Sequence, residues 1–449
     1  MINVTQKTLG EITESRVEQT GPSGKEFTYV DIGSIALDTK RIVEPKVLSV
    51  SKAPSRAKQV LKRGDVLVSM TRPNRNAVAL VPPEFDGAIG STGFHVLRAR
   101  GVEPGFLFYA VQTNDFVDAL CEKVQGALYP AVRPRDISSF KTFLPVSLPD
   151  QRRIVAEIEK QFTRLEAGVA ALRRVQANLK RYRAAVLKAA CEGRLVPTDA
   201  ELHRKLKTKN SNLETGAQLL TRILTERRQN WHGRGQYKEP VPPDSANIPP
   251  SVPEGWACAS VDQITENLDG RRVPLKSADR DKRSGQYPYY GASGVIDDID
   301  DFLFDGDHLL IAEDGANLLS RSTPIAFKAT GKFWVNNHAH IVQTRGGIPL
   351  AYLSIFLNGK DISFSVTGSA QPKLTQAALN KIPVPLPPLA EQTRIVAEVE
   401  RRLSVVEELE SVVTANLQRA TRLRQSILQK AFTGELLVQE VGQPLSGQS

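Results

Sequence analysis

The chain has 449 residues, too many for one ordinary hydrophobic core, so more than one domain is expected. Lys and Arg number 59 against 49 Asp and Glu, and the net charge of +10 favours polyanionic partners without separating a nucleic-acid binder from a merely soluble basic protein. Three widely spaced cysteines (Cys121, Cys191, Cys258), no apolar leader at the start and no apolar run near the roughly 18 residues of a membrane span predict a cytoplasmic protein without disulfides or membrane.

Residues 1–149 alternate short β-rich runs with turn residues, as in VLVSM (Val66 to Met70) and AVALV (Ala77 to Val81), and then read as helix from Phe106 to Val124. The module is mixed α/β. Residues 150–197 read as one long helix. Ile158, Phe162, Leu165, Val169 and Leu172 step by 4, 3, 4 and 3, and Val175, Leu179, Tyr182 and Val186 resume after one shortened step. That pattern is a heptad seam with one phase slip. Asp150 suits an N-cap, and Gly193 a left-handed C-terminal position.

Residues 198–253 change character. They hold a basic segment (His203 to Lys209), an amphipathic stretch (Ala217 to Trp231) and a run dense in proline from Glu239 to Trp256, which together predict a linker with one short helix. Residues 254–388 form a second α/β module, with β-rich runs at HLLIAE (His308 to Glu313) and HIVQT (His340 to Thr344) and a helix over Pro349 to Ile362. Residues 389–449 give a second long helix and a tail. Its seam runs through Val399, Leu403, Val406, Leu409, Val413, Leu417, Ala420 and Ile427, with Pro387 and Pro388 before it and Gly434 near its end.

The two halves repeat each other. QRRIVAEIE at Gln151 returns as QTRIVAEVE at Gln392, 241 residues later. TLGEITE (Thr8) matches SVDQITE (Ser260), RGDVLVS (Arg63) matches DGDHLLI (Asp305), GALYP (Gly126) matches GSAQP (Gly368), and PVSLP (Pro145) matches PVPLP (Pro383). Collinear landmarks of this kind mark a tandem duplication. Each helix of some 40 residues spans about 60 Å and carries an apolar stripe that needs a partner. The predicted fold is therefore α+β, with two modules in tandem, each followed by a long helix, and the helices paired as an antiparallel coiled-coil spacer. The alternative is two surface helices, each docked on its own domain.

Catalytic signatures are missing. The prolines of VPPEF (Val81) and NIPPS (Asn247) do not form an amino-methyltransferase turn, TGKF (Thr330) lacks the spacing of a phosphate loop, and Ile158 stands where a nuclease motif ending at Lys160 needs a carboxylate. His338 and His340 have ligand-compatible spacing on a strand, but no third ligand is evident and sequence does not bring His308 near. No catalytic residue and no metal site is expected. The chain reads as a recognition protein.

The repeated tails, QRRIVAEIE with LKAACEGRLVP and PLPPLAEQTRIVAEVE with QSILQKAFTGELL, resemble the helical regions of type I restriction-modification specificity subunits. RAKQVLKRGDVLVSMTRPN with STGFHVLRA, and YPYYGASGVIDDIDDFLFDGDHLLIAEDGANLLSRSTP with FWVNNHAHIV, resemble two kinds of target-recognition domain of that family. The resemblance spans essentially the whole chain. It implies that each module reads one half of a bipartite site in double-stranded DNA, while the helices space the halves. It also implies two methylation subunits that modify adenine and two restriction subunits. S-adenosylmethionine, ATP and Mg²⁺ would sit on those partners, and none on this chain.

Two readers on one face of B-DNA should lie about 34 Å apart or a multiple of that. Arg reads guanine and Asn or Gln reads adenine in the major groove. Candidate readers are thus Arg72, Asn74, Arg75 and Asn76 between the two strands of the first module, and Asn317, Ser320, Arg321 and Ser322 in the second. Arg72 and Arg321 are the foremost of these. Tyr287, Tyr289 and Tyr290 are placed on the groove face, with Lys373 after the GSAQP turn. The competing reading is a coiled-coil scaffold whose modules bind protein; the positive charge and the Arg/Asn loops weigh against it.

Overall fold

A computed structural model describes residues 3–124, 130–206, 214–233 and 235–436. Residues 126–129 of the GALYP landmark, 207–209 of the basic segment and the tail from 437 lie outside the described residues. The chain divides into two compact units, Met1–Arg174 with Val413–Ser449, and Val175–Val412. The divisions fall inside the two long helices rather than at their ends. The reason is visible in what each half-helix buries.

In the first unit, strand Val4–Thr8 pairs antiparallel with Lys141–Pro145, so the module's beginning and end close on each other. Val66–Ser69 lies between Phe94–Leu97 and Val78–Leu80, all antiparallel, and a second sheet holds Lys46–Ser49, Glu26–Val30, Ile89–Ser91 and Ala57–Val60. The expected helix over 106–124 is two helices, Pro104–Ala110 and Asn114–Cys121, because the Thr113 hydroxyl caps the second by accepting from Phe116 N. Their apolar faces share a core with Ile154, Ile158 and Phe162 from the start of helix Leu148–Cys191. Ile427, Leu428 and Ala431, from the end of helix Leu389–Thr433, complete it.

The second unit repeats the plan. Ala257–Ser260 pairs with Pro383–Leu386, and His308–Ala312 lies between Ala339–Thr344 and Ala326–Ala329, with Thr265–Asn267 at the far edge. Ser284–Gly291 pairs with Gly294–Ile299 and, in parallel, with Trp334–Val335. Here the core takes Val186 and Ala190 from the end of the first long helix, and Ile395 and Val399 from the start of the second. Each long helix therefore begins on its own module and ends in the other unit's core, antiparallel to its counterpart. Neither is a surface helix docked only on its own domain.

The expected linker is a correction as well. Helix Gly216–Gln229 buries Leu219 and Ile223 completely in the second core. The proline-rich run is tied down by Asp262 accepting from Val241 N at 2.8 Å and by Lys381 O accepting from Asp244 N at 2.9 Å. Proline removes helix and ladder hydrogen bonds, but it leaves the neighbouring amides free to anchor elsewhere.

The covered positions keep one register: Leu165, Val169, Leu172, Leu179, Arg183, Val186 and Ala190 step by 4, 3, 7, 4, 3 and 4, and Gln176 at the skipped step is exposed. Val175 and Tyr182, which the apolar pattern favours, are 43% and 45% exposed. Leu409 of the second seam is exposed for the same reason, its place being taken by Glu410. The second helix uses Val406, Glu410, Val413, Leu417, Ala420, Arg424, Ile427 and Ala431, each 241 residues after its counterpart. Ile158, Phe162, Leu179, Val399, Val406 and Val413 are buried, and Leu165, Leu172, Leu403 and Leu417 are half-buried. Arg183 meets Glu410 at 3.1 Å and Glu407 at 3.6 Å, and its repeat mate Arg424 meets Glu166 at 3.5 Å.

Helix starts repeat too. Gln151 Nε2 donates to Pro145 O and Gln392 Nε2 to Pro387 O, both at 2.8 Å, which gives the glutamine that opens each repeated tail a structural task. The first helix is capped by Ser147, whose hydroxyl accepts from Asp150 N, rather than by Asp150. Gly193 and Gly434 adopt positive φ, as expected.

Gly216 starts its helix against the backbone of strands Ala257–Ser260 and Pro383–Leu386; an added Cβ would fall on Leu386 O and Ala257 N. Gly216→Ala should destabilise the chain by about 1–3 kcal/mol, read as a lowered Tm against an Ala substitution at the open position Gly168.

Candidate nucleic-acid interface

The two candidate loops hang from the same frame. In the first unit Met70 N donates to Gly93 O (3.0 Å), Val132 N to Met70 O (2.9 Å) and Arg72 N to Pro130 O (2.8 Å). In the second, Glu313 N donates to His338 O (2.9 Å), Leu374 N to Glu313 O (2.7 Å) and Gly315 N to Pro372 O (3.0 Å). Pro130 and Pro372 are the last residues of the GALYP and GSAQP landmarks, so that landmark marks the socket into which each loop plugs. The residue that donates to the proline has positive φ in both, 50° for Arg72 and 109° for Gly315. Glycine adopts that geometry freely, whereas arginine is strained there and must be held.

Within the first loop Arg72, Asn74 and Arg75 are exposed and Asn76 is half-buried. Pro73–Arg75 forms one tight helical turn between two left-handed residues, Arg72 and Asn76. Asn76 Oδ1 is buried with no hydrogen-bond partner, and its backbone carbonyl accepts from Lys40 Nζ at 2.5 Å. Burial pushes the Lys40 ammonium down to about 8, aided by the positive charge of Arg424 and opposed by Asp38.

The second loop is built otherwise. Asn317 spends its side chain on its own loop, accepting from Ser322 Oγ and Thr323 N at 3.0 Å and donating to Thr323 O at 3.1 Å. Ser320 and Ser322 are exposed. Arg321 corrects the sequence reading: it ends the turn with φ 49°, and its guanidinium donates to Leu318 O, Leu357 O and Lys360 O at 3.1, 2.8 and 3.2 Å. Those donors are not free for a base. Burial lowers its pKa, with Asp361 opposing. Tyr289 is also corrected; it is fully buried, and its hydroxyl accepts from Leu275 N at 3.0 Å. Tyr290 packs edge-on against Phe333, and burial raises its hydroxyl pKa; Tyr287 leans on Phe302.

Under this loop lies a charged network. His340 Nδ1 faces Asp269 Oδ2 at 2.6 Å and Nε2 faces Leu374 O at 2.8 Å, so both ring nitrogens are engaged within the protein. His338 instead meets Asp314, so the two imidazoles do not converge. Asp269, Glu313 and His340 lie within ligand reach of one another, yet Arg272 already pairs with both carboxylates and Lys373 pairs with Glu313 at 3.2 Å. Burial alone would raise the pKa of Asp269; the hydrogen bond and charge of His340, the Ile341 amide and Arg272 outweigh it and hold the carboxyl below its ordinary value. The cluster is a satisfied scaffold for the frame, and Lys373 is its exposed end.

The family model for the type I restriction modification DNA specificity domain matches residues 253–411. A type I restriction enzyme specificity subunit of Haemophilus influenzae is 38% identical over 136 residues, 30% of this chain and 34% of that protein, so the chain covers about a third of that relative. The EcoDI specificity subunit of Escherichia coli is 26% identical over 354 residues, 77% of this chain and 73% of that one. Over most of its length the chain is similar to type I restriction enzyme specificity subunits. A solved chain described for complex assembly and conformational transition of the type I R-M system superposes with a TM-score of 0.68 at 24% identity, over 97% of this chain and 99% of that chain, which speaks for the fold.

Sequence reasoning missed several cations of this chain. Arg271, Arg280, Arg283 and Lys332 lie over the rings of Phe304, Tyr289, Trp334 and Phe302 at 5.0, 5.0, 5.1 and 4.5 Å. Arg280 and Arg283 also pair with Asp297 and with Asp300 and Asp301, so these cations are held within the module, by contacts that leave no local sequence pattern. Lys40 went unnoticed for the same reason.

Arg321→Ala should act on stability rather than on reading, lowering it by about 1–3 kcal/mol through the orphaned carbonyls of Leu357 and Lys360, as measured by denaturant unfolding. Asp269→Asn should lower Tm at neutral pH. Because the Asp269 pKa is depressed in the folded chain, its contribution is present above the ordinary carboxylate range and is lost as pH falls through the depressed value. The Tm gap between variant and wild type should therefore close below about pH 4.

Proposed function

We propose that this chain is a specificity subunit that reads a bipartite target in double-stranded DNA, one half per module, within a complex that methylates adenine and cleaves DNA with ATP. The observation that carries the reading is the frame repeated in both units and filled with unlike loops, TRPNRN in one and DGANLLSRST in the other. A common frame presents a loop in the same way each time, while unlike side chains read unlike words. Arg72, Asn74, Arg75 and Asn76 are the proposed readers of one half. Asn317, Ser320 and Ser322 shape or line the reader of the other, with Lys373 beside them.

The chemistry is assigned to partners: two methylation subunits carrying S-adenosylmethionine, and two restriction subunits using ATP and Mg²⁺. Val405, Leu409 and Val412 form an exposed apolar stripe at i, i+4 and i+7 on the second long helix, and Val175 and Tyr182 form another at i, i+7 on the first. We assign these stripes to a methylation subunit, since exposed apolar rows on a paired helix mark association surfaces. The helix pair sets the gap between the half-sites. Among the described residues no helix is long and apolar enough to cross a membrane. The proposal puts the complex in the cytoplasm because its DNA substrate is there.

Co-expression with a methylation subunit, followed by mapping of N6-methyladenine, tests the reading. The expected result is one split motif with a fixed gap and one methylated adenine in each half. Arg72→Ala should relax one position of a single half at a cost of about 1–3 kcal/mol. A continuous motif, a variable gap, or unchanged motifs in the variant would count against, respectively, the two readers, the helix spacer and the loop assignment.

A further inference from the structure

The first reading loop is strained at both ends. Its ends, Arg72 and Asn76, both occupy the left-handed region at φ 50° and 45°, and Asn76 Oδ1 is buried without a partner. The proline socket holds the Arg72 end. In the second unit the far end of the loop is closed from within, by Asn317 clasping Ser322 and Thr323. No such side-chain clasp joins Asn74 or Asn76 across the first loop; at its far end Asn76 N donates to Pro73 O within the turn, and Lys40 Nζ donates to Asn76 O from outside it.

Lys40 is placed for this task at some cost. It lies at the turn between strands Ile35–Ala36 and Arg41–Ile42, has φ 56°, and is tied back by its own N–H to Ala36 O at 2.8 Å. A half-buried ammonium with a left-handed backbone is an expensive way to fill space. Its three N–H donors are what a strained carbonyl requires.

We propose that Lys40 is the positioning residue of the first reading loop, its ammonium clamping the Asn76 carbonyl so that the turn presents Arg72, Asn74 and Arg75. This deepens, and for its DNA consequence rests on, the assignment of residues 71–76 as a reader. Lys40 itself does not read; it acts through the loop.

The first test is amide hydrogen exchange in the full chain, which needs neither DNA nor partner. Lys40→Met keeps the aliphatic stem and removes the donors. It should speed exchange of the Arg75 and Asn76 amides, which donate to Arg72 O and Pro73 O, by about ten-fold or more, with strand Val66–Ser69 unchanged. Lys40→Arg, which keeps donors and charge, should hold exchange near the wild-type rate. Unchanged loop exchange in Lys40→Met overturns the proposal. So does acceleration throughout the unit, or equal acceleration in Lys40→Arg, because each points to packing alone. In the methylation map, Lys40→Met should loosen only the half-word read by the first module and leave the other intact; loosening of both halves overturns the proposal. A wild-type chain that gives no split motif would undo the reader assignment, and the exchange result alone would then decide whether Lys40 clamps the loop.

Discussion

An amphipathic helix of more than forty residues cannot bury its stripe on one small α/β module. The rest of the architecture depends on how that constraint is met. In each unit a module's core is completed by the first part of one long helix and the last part of the other: Ile154, Ile158 and Phe162 with Ile427, Leu428 and Ala431 in one, Val186 and Ala190 with Ile395 and Val399 in the other. The exchange explains why the compact units divide within the helices. It also explains why both seams keep the same positions 241 residues apart, since each half must satisfy the same packing problem from opposite ends.

Much of this was legible in the sequence because duplication writes every structural requirement twice. The glutamine opening each tail, the glycine closing it and the proline of the socket appear as landmarks, and all of them have paired structural duties. The seam was legible only in part. Tyr182 and Leu409 look better as core than Arg183 and Glu410, and an apolar pattern follows the former; the helix instead keeps register and lets Arg183 meet Glu410 and Glu407. Proline density suggested a free linker for the same kind of reason, since local composition does not record that Asp262 and Lys381 lie waiting for the flanking amides.

For the candidate loops, exposure was legible only in part. Loop residues of the right chemistry stand out between strands, and Arg72, Asn74 and Arg75 are exposed as expected. Arg321 and Tyr289 have the same chemistry, yet they spend it inward on carbonyls and on an amide. Nothing in the local sequence separates an arginine that faces solvent from one that ends a turn over someone else's helix terminus. Lys40 shows the converse: a residue without any motif matters because the fold delivers it to a strained carbonyl 36 positions away.

All three bonds of the loop frame run from backbone to backbone. Side-chain identity within the loop is therefore nearly decoupled from the geometry that presents it. Most exchanges at the exposed positions would leave socket, sheet and core untouched, and would alter only what the loop displays. Such a frame is a scaffold on which new specificities can arise by few substitutions, with the heaviest constraint falling on the two left-handed positions at the loop's ends. The repertoire of sites open to a lineage carrying this chain is then limited less by stability than by which side chains tolerate those two backbone turns.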